Sequence, residues 1–488
     1  MISSSRRKGH RTWLWFISLS IIFGFFAVSF SGSWPNGTDI EADAPLEDFT
    51  VHLERRISRL MKVHGIPGCQ VALVHDYEIV WTSGFGLADV ESGRYLTADT
   101  PMSVQSITKS IVAWGIVKLA EQGLIDLDVP LSHYLAEWDF PQSDNGTEGI
   151  TIRNLLNHTS GMPLGDFTDV YSPGEEMPSL RSKLTEEAVL LRKPGVGFSY
   201  SNVGYHLLEL LIEEVTERDF VDYMYSEVFL PLDMTTATFE PDSSMMPYPP
   251  TGYDLRGKPV PVYVYPQKAS GGLFATAEDI ARFVVASMKD VSETLYTPQV
   301  RRIGIYGLVF EAYGAGHYIE TLPNGLRSVA HGGQGKGIMT HFHAVPETGD
   351  AIVILTNSQR SWPFISIVLS DWARWRSFPS VGMGRIVWAH LGLSAVIGML
   401  FSASILVAVE LIRAYKSQQR IRLRLLRFNI AFVLLGTVAY SASQEYLFIS
   451  SVFPSLTVWL GGGVLTFSIV LLLSALPRSL DKNNELLF

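Results

Sequence analysis

The stretch Ser106-Ile107-Thr108-Lys109 places a hydroxyl and an amine three residues apart in a chain of 488 residues. Apolar residues recur after it at helical spacing, so the sequence predicts a helix over about residues 106–122. Side chains at positions i and i+3 of a helix share one face, which lets the serine hydroxyl meet the lysine amine. A buried lysine has a lowered pKa and can accept the serine proton. The pattern alone is weak, because Ser5-Arg6-Arg7-Lys8 also matches it.

A second candidate motif is Tyr200-Ser201-Asn202, the only Tyr-x-Asn among nineteen tyrosines. It follows a turn that contains Pro194, Gly195 and Gly197. A phenol beside a lysine can relay a proton to a leaving group, and a carboxamide can hold a substrate carbonyl. The alternative is an ordinary loop tyrosine before a helix.

A third candidate is His331-Gly332-Gly333, on or just before a predicted strand. Two glycines let a substrate backbone lie against a strand edge, and the next amide, that of Gln334, can point at an oxyanion. The alternative is a simple glycine turn.

The surrounding pattern predicts one domain that mixes helices with strands. Strand pairs are expected at 69–73 with 79–82 and at 340–345 with 351–355, and helices at 184–191, 204–216 and 362–376. Strands at both ends with helices between them predict a sheet that joins the N-terminal and C-terminal segments.

Together and in this order, the three motifs resemble the active-site set of the serine β-lactamase and DD-peptidase superfamily. The branch that they resemble most is that of class C β-lactamases, D-aminopeptidases and esterases. The segment Leu155-Leu156-Asn157-His158-Thr159-Ser160-Gly161-Met162-Pro163 and the pair Gly349-Asp350 also resemble that group. The resemblance runs over residues 50–375 and implies an α/β fold, a β-lactamase-like sandwich in which helices flank an antiparallel sheet.

The resemblance also implies a role for each motif residue. Ser106 is expected to be the acylated nucleophile, and Lys109 and Tyr200 to share the acid and base work. Asn202 is expected to orient the substrate. The resemblance places His331, Gly332, Gly333 and Gln334 at the substrate-binding strand, and the backbone amides of Ser106 and Gln334 in the oxyanion hole.

The chain departs from the commonest pattern at the third motif, where many members have Lys-Thr-Gly. A histidine, mostly neutral near pH 7, holds a free carboxylate more weakly than a lysine does. We therefore expect a peptidase for D-amino-acid-containing peptides, either cell-wall peptides or acylated peptide precursors. A β-lactamase or an esterase of the same family is the alternative, and a penicillin-binding receptor without turnover is an alternative of another class.

Composition indicates a membrane protein with an acidic outer body. Only 18% of the residues are charged, and residues 32–378 carry 25 basic and 44 acidic residues. An acidic body speaks against nucleic acid as a partner.

Uncharged runs predict transmembrane segments at 12–31 (signal anchor or signal peptide), 385–411, 428–449 and 454–476. The positive-inside rule places the basic segments 1–11 and 413–427 and the tail 477–488 inside the cell. The linker 32–48 and the hydrolase domain 49–380 are then extracytoplasmic.

The whole architecture is similar to membrane peptidases that remove an N-acyl-D-amino-acid cap from antibiotic or toxin precursors. The loop Gln418-Gln419-Arg420-Ile421-Arg422-Leu423-Arg424 and the residues from His331 to Gln334 fit that group. The chain departs from it at Ser103, where an acidic residue is usual, and at Asn202, where serine is usual.

The remaining candidates predict no cofactor and no metal. His341 and His343 alternate on one strand and, with His331, raise the idea of a metal, but no further ligand has suitable spacing. The single cysteine, Cys69, forms no internal disulfide. The expected partners are a small peptide, ester or lactam substrate and the membrane lipid around four spans.

Overall fold

The computed structural model describes residues 15–24, 26, 40–135, 138–289, 293–417, 423–443 and 448–476. The chain separates into two compact units. One is the outer body, Thr38–Arg385, and the other joins Met1–Gly37 to Ile386–Phe488. The candidate chemistry lies in the outer body.

An antiparallel sheet of eight strands forms the centre of the outer body. Its strands are β1 (Gly68–His75), β2 (Glu78–Asp89), β3 (Arg94–Tyr95), β8 (Ala312–Tyr313), β9 (Tyr318–Thr321), β10 (Arg327–Gly335), β11 (Ile338–Val345) and β12 (Asp350–Thr356). They lie in the order β3-β2-β1-β12-β11-β10-β9-β8. Strand β1 pairs with β12, so that Cys69 lies opposite Thr356 and the N-terminal and C-terminal segments share one sheet, as predicted. Short pairs lie outside it: β4 (Met102–Ser103) with β7 (Phe274–Ala275), and β5 (Gly252–Tyr253) with β6 (Pro259–Val260).

The described helices of the outer body are α1 (Leu46–His64), α2 (Thr108–Glu121), α3 (Ile152–Leu156), α4 (Leu180–Glu187), α5 (Val203–Thr216), α6 (Phe220–Met224), α7 (Ala277–Lys289), α8 (Glu293–Tyr296) and α9 (Trp362–Trp375). Strand β12 is buried along its length, and helices α7 and α9 both pack against it. Burial on both faces explains why β12 is a nearly continuous apolar run.

Most predicted elements are confirmed, with small changes of bounds. The helix at 106–122 is a short 3-10 helix, Gln105–Ile107, followed by α2. The helix predicted at 184–191 is misplaced and runs instead over Leu180–Glu187. Ser179 accounts for the difference, because its side chain accepts the backbone N–H of Ser182 and starts the helix earlier.

The second unit is made of apolar helices. They are the N-terminal helix Trp15–Gly24, α10 (Ile386–Ser417), α11 (Arg424–Ser443), α12 (Phe448–Val452) and α13 (Pro454–Ala475). Three helical stretches in the described part of the chain are long and apolar enough to cross a membrane: Gly382–Ser417, Arg424–Ser443 and Pro454–Ala475. Compared with the span predicted at 428–449, helix α11 starts earlier and ends at Ser443. The predicted segments 1–11 and 477–488, most of the linker and residues 418–422 lie outside the described residues.

Candidate active site

Ser106 and Lys109 meet at the start of the central helix. Ser106 lies in the 3-10 helix Gln105–Ile107, and Lys109 follows in the first turn of α2. The Lys109 Nζ atom lies 3.2 Å from Ser106 Oγ. Thr108 fixes this turn, because its hydroxyl donates to the Gln105 carbonyl over 2.6 Å. The local spacing therefore produces the contact that the sequence predicts.

The surroundings of Lys109 favour its neutral form. The side chain is fully buried, and this burial holds the pKa of its amine well below its usual range. The amine donates to Asn202 Oδ1 over 2.8 Å and to the Ser270 carbonyl over 2.6 Å. A neutral amine has two N–H donors and one lone pair, so these two acceptors leave the lone pair for the Ser106 hydroxyl. The geometry is that of a general base for Ser106.

Tyr200 lies beside the same lysine. Its ring centroid is 5.0 Å from Lys109 Nζ, and the Ser106 side chain is near enough to affect the pKa of its phenol. Burial, followed by the neighbouring Tyr306, raises the pKa of the phenol well above its usual range. The phenol is therefore protonated at neutral pH and suited to give a proton to a leaving group.

His158 packs against Tyr200 and joins the segment Leu155–Pro163 to the Tyr-x-Asn motif. The ring centroids of His158 and Tyr200 are 4.3 Å apart. His158 has a left-handed backbone, with φ of 59°. Its Nδ1 accepts the backbone N–H of Ser201 over 3.2 Å, which ties this segment to the Tyr-x-Asn motif.

Asn202 directs its carboxamide at Lys109 because Ser201 takes over the capping of helix α5. The Ser201 hydroxyl accepts the backbone N–H of Gly204 over 2.9 Å and donates to the Pro163 carbonyl over 2.6 Å. Asn202 makes no side-chain cap bond. The middle residue of the motif therefore leaves the carboxamide available for the lysine.

The glycines of the third motif serve internal packing, which differs from the reason inferred from the sequence. A Cβ on Gly333 would lie 2.3 Å from Thr340 Oγ1 and 2.3 Å from the Val104 carbonyl oxygen. A Cβ on Gly332 would lie 2.9 Å from the Trp362 ring. Glycine is therefore needed for β10 to lie against the segment that leads to Ser106.

His331 lies beneath the site with its ring 1% exposed. Its Nδ1 is 2.8 Å from the Gly332 carbonyl and therefore carries the proton, so its Nε2 accepts the Tyr313 hydroxyl over 3.1 Å. Burial, followed by the nearby amine of Lys109, holds the pKa of this imidazole well below its usual range. The ring is a neutral member of an aromatic cluster.

Gln105 was not identified from the sequence. It precedes the serine with φ of 52°, a left-handed conformation that is unfavourable for a residue with a side chain. Its Nε2 donates to Ser103 Oγ over 2.7 Å and to the Tyr263 hydroxyl over 3.2 Å, and its Oε1 accepts the Tyr265 hydroxyl over 3.1 Å. These bonds hold the turn that presents Ser106.

Glu209 and His206 were also not identified from the sequence. They hold the segment that carries the Ser270 carbonyl, which accepts a hydrogen bond from Lys109. The Glu209 carboxylate accepts the backbone N–H groups of Lys268 and Ala269, each over 2.7 Å. His206 Nε2 lies 2.8 Å from Ser270 Oγ. Burial raises the pKa of Glu209 to about 8, against the opposing effect of Lys268. Asn202, His206 and Glu209 have the i, i+4, i+7 spacing of one helix face, a signal that could have identified them.

A pocket opens at the serine hydroxyl. It is lined by Gln105, Ser106, Asp166, Phe167, Asn202, His206, Tyr265, Gln267, Ser270, Gly271 and Gln334. The carboxamide oxygen of Gln334 accepts the Trp362 indole N–H over 3.3 Å. Of the predicted site residues, Ser106, Asn202 and Gln334 line this pocket. Lys109 contacts Ser106, and the Tyr200 ring lies beside Lys109.

The alternating histidines of β11 pack against tryptophan side chains. The rings of His341 and His343 are 5.8 Å apart and stand beside Trp362 and Trp372. Within the ranges that the structure describes, no three His, Cys, Asp or Glu side chains are grouped to hold a metal.

Comparisons with known proteins identify the family. A family model described as "Beta-lactamase" matches residues 53–366. "Protein flp" of Staphylococcus aureus strain MRSA252 is 28% identical over 322 residues, which cover 61% of this chain and 60% of the relative. The "Putative penicillin-binding protein PbpX" of Bacillus subtilis strain 168 is 29% identical over 320 residues, 63% of this chain and 74% of that protein. The chain thus spans about three fifths of the length of the staphylococcal relative.

Two solved structures share the fold. The octameric penicillin-binding protein homologue from Pyrococcus abyssi aligns with a TM-score of 0.58 and 23% identity, over 72% of this chain and 81% of that chain. The structure of SurE with D-Leu aligns with a TM-score of 0.53 and 22% identity, over 66% of this chain and 74% of that chain. At these identities the likeness concerns the fold alone.

Proposed function

The chain belongs to the beta-lactamase family, and from this premise we propose that it is a membrane-anchored serine hydrolase that works through an acyl-enzyme on Ser106. The observation that carries the proposal is the contact of 3.2 Å between the buried Lys109 amine and the Ser106 hydroxyl. A lysine held without charge at this distance can take the serine proton.

Acylation follows from the positions of the side chains. The Ser106 oxygen bonds to the carbonyl carbon of the substrate, and its proton passes to the lone pair of Lys109. The carbonyl oxygen becomes an oxyanion, for which the backbone amides of Ser106 and Gln334 are the expected donors. Tyr200 gives its proton to the leaving amine or alkoxide as the bond to that group breaks. The Lys109 ammonium then returns a proton to Tyr200.

Deacylation reverses the direction of the protons. Water bonds to the acyl carbon while Lys109, with Tyr200, accepts its proton. The Ser106 oxygen leaves and regains a proton, and the substrate acid is released. The balance leaves one water consumed and no change in the enzyme.

The substrates that fit best are amides and esters without a free carboxylate next to the scissile bond. His331 is buried and neutral, and therefore offers no positive charge to a carboxylate. Asp166 lines the pocket and adds negative charge there. We infer that D-amino-acid-containing peptides, with an acylated or blocked terminus, are the natural class, and that simple esters come second.

The test of this substrate class compares three compounds at pH 7. These are an acyl-D-amino-acid amide, a short-chain nitrophenyl ester and a penicillin, with kcat/KM measured for each. The amide should be the fastest of the three and the penicillin the slowest. If the penicillin is hydrolysed fastest, the inference that neutral His331 disfavours a free carboxylate is wrong.

A penicillin-binding receptor is the second candidate, favoured by the name of the Bacillus relative. A receptor would be labelled at Ser106 and stay labelled, whereas an enzyme shows a burst followed by steady turnover. The fate of the acyl group therefore distinguishes the two.

The proposed location is the cell membrane, with the outer body on the extracytoplasmic side. Three candidate spans and an acidic outer body support this location. The N-terminal helix packs against α10, where Ser20 Oγ lies 3.2 Å from Ser402 Oγ and the rings of Phe23 and Phe401 stack at 5.5 Å. This packing supports an uncleaved anchor over a removed signal peptide.

A further inference from the structure

A short stretch of the outer body exposes apolar side chains next to two arginines. Ile305 and Leu308 are 51% and 75% exposed. Both lie in the 3-10 helix Gly304–Leu308, in which positions three apart fall on the same side. Arg301 and Arg302 precede them and are exposed, and Arg301 contacts Glu311. We call these four residues, Arg301, Arg302, Ile305 and Leu308, the 301–308 surface.

The 301–308 surface is fixed to the place where the chain enters its first candidate span. That span begins at Gly382. A Cβ on Gly382 would lie 2.7 Å from the Phe310 ring, so the two residues are in close contact. Arg385 donates to the Val309 carbonyl over 3.4 Å and pairs with Glu320. Residues directly after the 301–308 surface are therefore held against the start of the span.

The start of the span also carries a marker of the membrane interface. Trp388 is 69% exposed and follows Gly382 by six residues. Tryptophan is enriched at the level of the lipid headgroups. Gly382 and Arg385, which contact the segment after the 301–308 surface, thus lie within six residues of Trp388 along the chain.

The same short helix reaches the proposed active site. The ring of Tyr306 lies 5.8 Å from that of Tyr200 and 6.1 Å from that of Phe198. Ile305 and Leu308 are on the exposed side of the helix, whereas Tyr306 contacts the aromatic cluster around Tyr200. One turn of helix thus joins the exposed surface to Tyr200, whose ring lies beside Lys109.

We propose that the 301–308 surface binds the headgroup region of an anionic bilayer, with Ile305 and Leu308 among the upper acyl chains and Arg302 at the phosphates. Apolar residues beside arginines are the composition that binds such interfaces. The contact keeps Tyr306 in its position beside Tyr200 and puts the active site next to the membrane surface. The enzyme then works on substrates held at the interface. This proposal rests on the membrane location proposed above.

The experiment uses the full chain in nanodiscs of phosphatidylglycerol and phosphatidylcholine. The Leu308→Cys variant carries an environment-sensitive dye, and a fraction of the lipid carries a spin label that quenches it. Cys69 is fully buried and its thiol has a raised pKa, so the dye reacts at the introduced cysteine. The matched control is Tyr95→Cys, because Tyr95 is also 75% exposed but lies in β3, at the opposite edge of the sheet from β8.

The dye at position 308 should lose about half of its fluorescence to the spin-labelled lipid, as expected for a side chain at the headgroup boundary. The dye at position 95 should keep nearly all of it. Equal quenching at both positions, or no quenching at 308, would overturn the proposed binding of the 301–308 surface to lipid. Either result would leave the proposed membrane location intact. A chain that does not enter the nanodiscs at all would overturn both.

A second variant, Ile305→Ser with Leu308→Ser, tests the link to the active site. The ratio of kcat/KM in anionic nanodiscs to that in detergent should fall about threefold, because the membrane contact is weakened and the fold is not. An unchanged ratio would overturn the link through Tyr306.

Discussion

The amine of Lys109 lies 3.2 Å from the hydroxyl of Ser106, and no part of the lysine side chain reaches solvent. Both partners sit within one turn at the start of a buried helix. The amine is also held by Asn202 and by the Ser270 carbonyl, so its direction is fixed from three sides.

The Lys109→Met variant should lose catalysis while keeping its fold. Removing a general base lowers kcat by about 10²- to 10⁴-fold. The variant at Ser106 should be affected to a similar degree, because residues that act as a unit are not additive. A Ser106→Ala, Lys109→Met double variant that is much slower than either single variant would argue against a shared role.

The pH dependence of the free energy of unfolding tests whether the Lys109 amine is neutral in the folded protein. Burial lowers the pKa of this amine in the folded protein, so between that pKa and 10.5 the unfolded chain binds a proton that the folded chain does not. Stability of the wild type should therefore rise with pH through this window, by about 1.4 kcal/mol per pH unit for one full proton. The stability of Lys109→Met lacks this dependence on pH. The melting temperature of the variant minus that of the wild type should therefore fall between pH 7 and pH 10. A difference that stays constant would contradict a neutral lysine.

The Tyr200→Phe variant should distinguish leaving groups. A poor leaving group such as an amine needs a proton, and the phenol is the proposed donor, so amide hydrolysis should fall by about 10²-fold in kcat. A nitrophenolate leaves without a proton, and hydrolysis of that ester should change much less. Tyr205→Phe is the control, because the Tyr205 ring is also near Lys109 Nζ, at 5.6 Å, while its hydroxyl donates to the Leu156 carbonyl. Equal losses on both substrates would rule out Tyr200 as the proton donor.

Substitutions of Gln105 separate backbone strain from side-chain bonding. Gln105→Gly removes the left-handed strain, which costs about 1–3 kcal/mol, and also removes the bonds to Ser103, Tyr263 and Tyr265. Gln105→Ala removes the bonds but keeps the strain. Both variants should lower kcat by about tenfold, because the nucleophile is displaced. Gln105→Gly should melt at a higher temperature than Gln105→Ala. Full kcat in Gln105→Gly would show that the bonds do not position Ser106.

The proposed topology predicts where reporter fusions are found. Fusions after Asp48 and Ser380 should be external, and those after Ser417 and Asp481 internal. The reason is the excess of basic residues in 413–427. An external reporter after Ser417 would mean that the stretch Gly382–Ser417 does not cross the membrane.

The nucleophile and its base could be predicted from the sequence because their contact is local. Helical spacing alone brings position 106 to position 109. Tyr200 and Asn202 lie about ninety residues further on, and the sequence indicates their place only through the family resemblance. The strands were also predictable, since most residues of β1 and β12 are apolar.

The remaining residues depend on features that residue types do not encode. Lys109 binds the Ser270 carbonyl, a backbone atom that every residue has. Gln105 acts through a positive φ that glutamine rarely adopts. His331 was expected to face the substrate, but the burial of β10 turns its ring toward Tyr313. The neutral charge expected for it near pH 7 agrees with its lowered pKa.

The most direct test of an acyl-enzyme on Ser106 is the intact mass of the purified protein after treatment with a fluorophosphonate, compared with Ser106→Ala. We predict one added phosphonyl group on the wild type, mapped by peptide analysis to the stretch that contains Ser106, and none on the variant. The adduct should form more slowly in Lys109→Met, since the serine then lacks its base. An adduct of equal yield on Ser106→Ala, or none on the active wild type, would contradict the account.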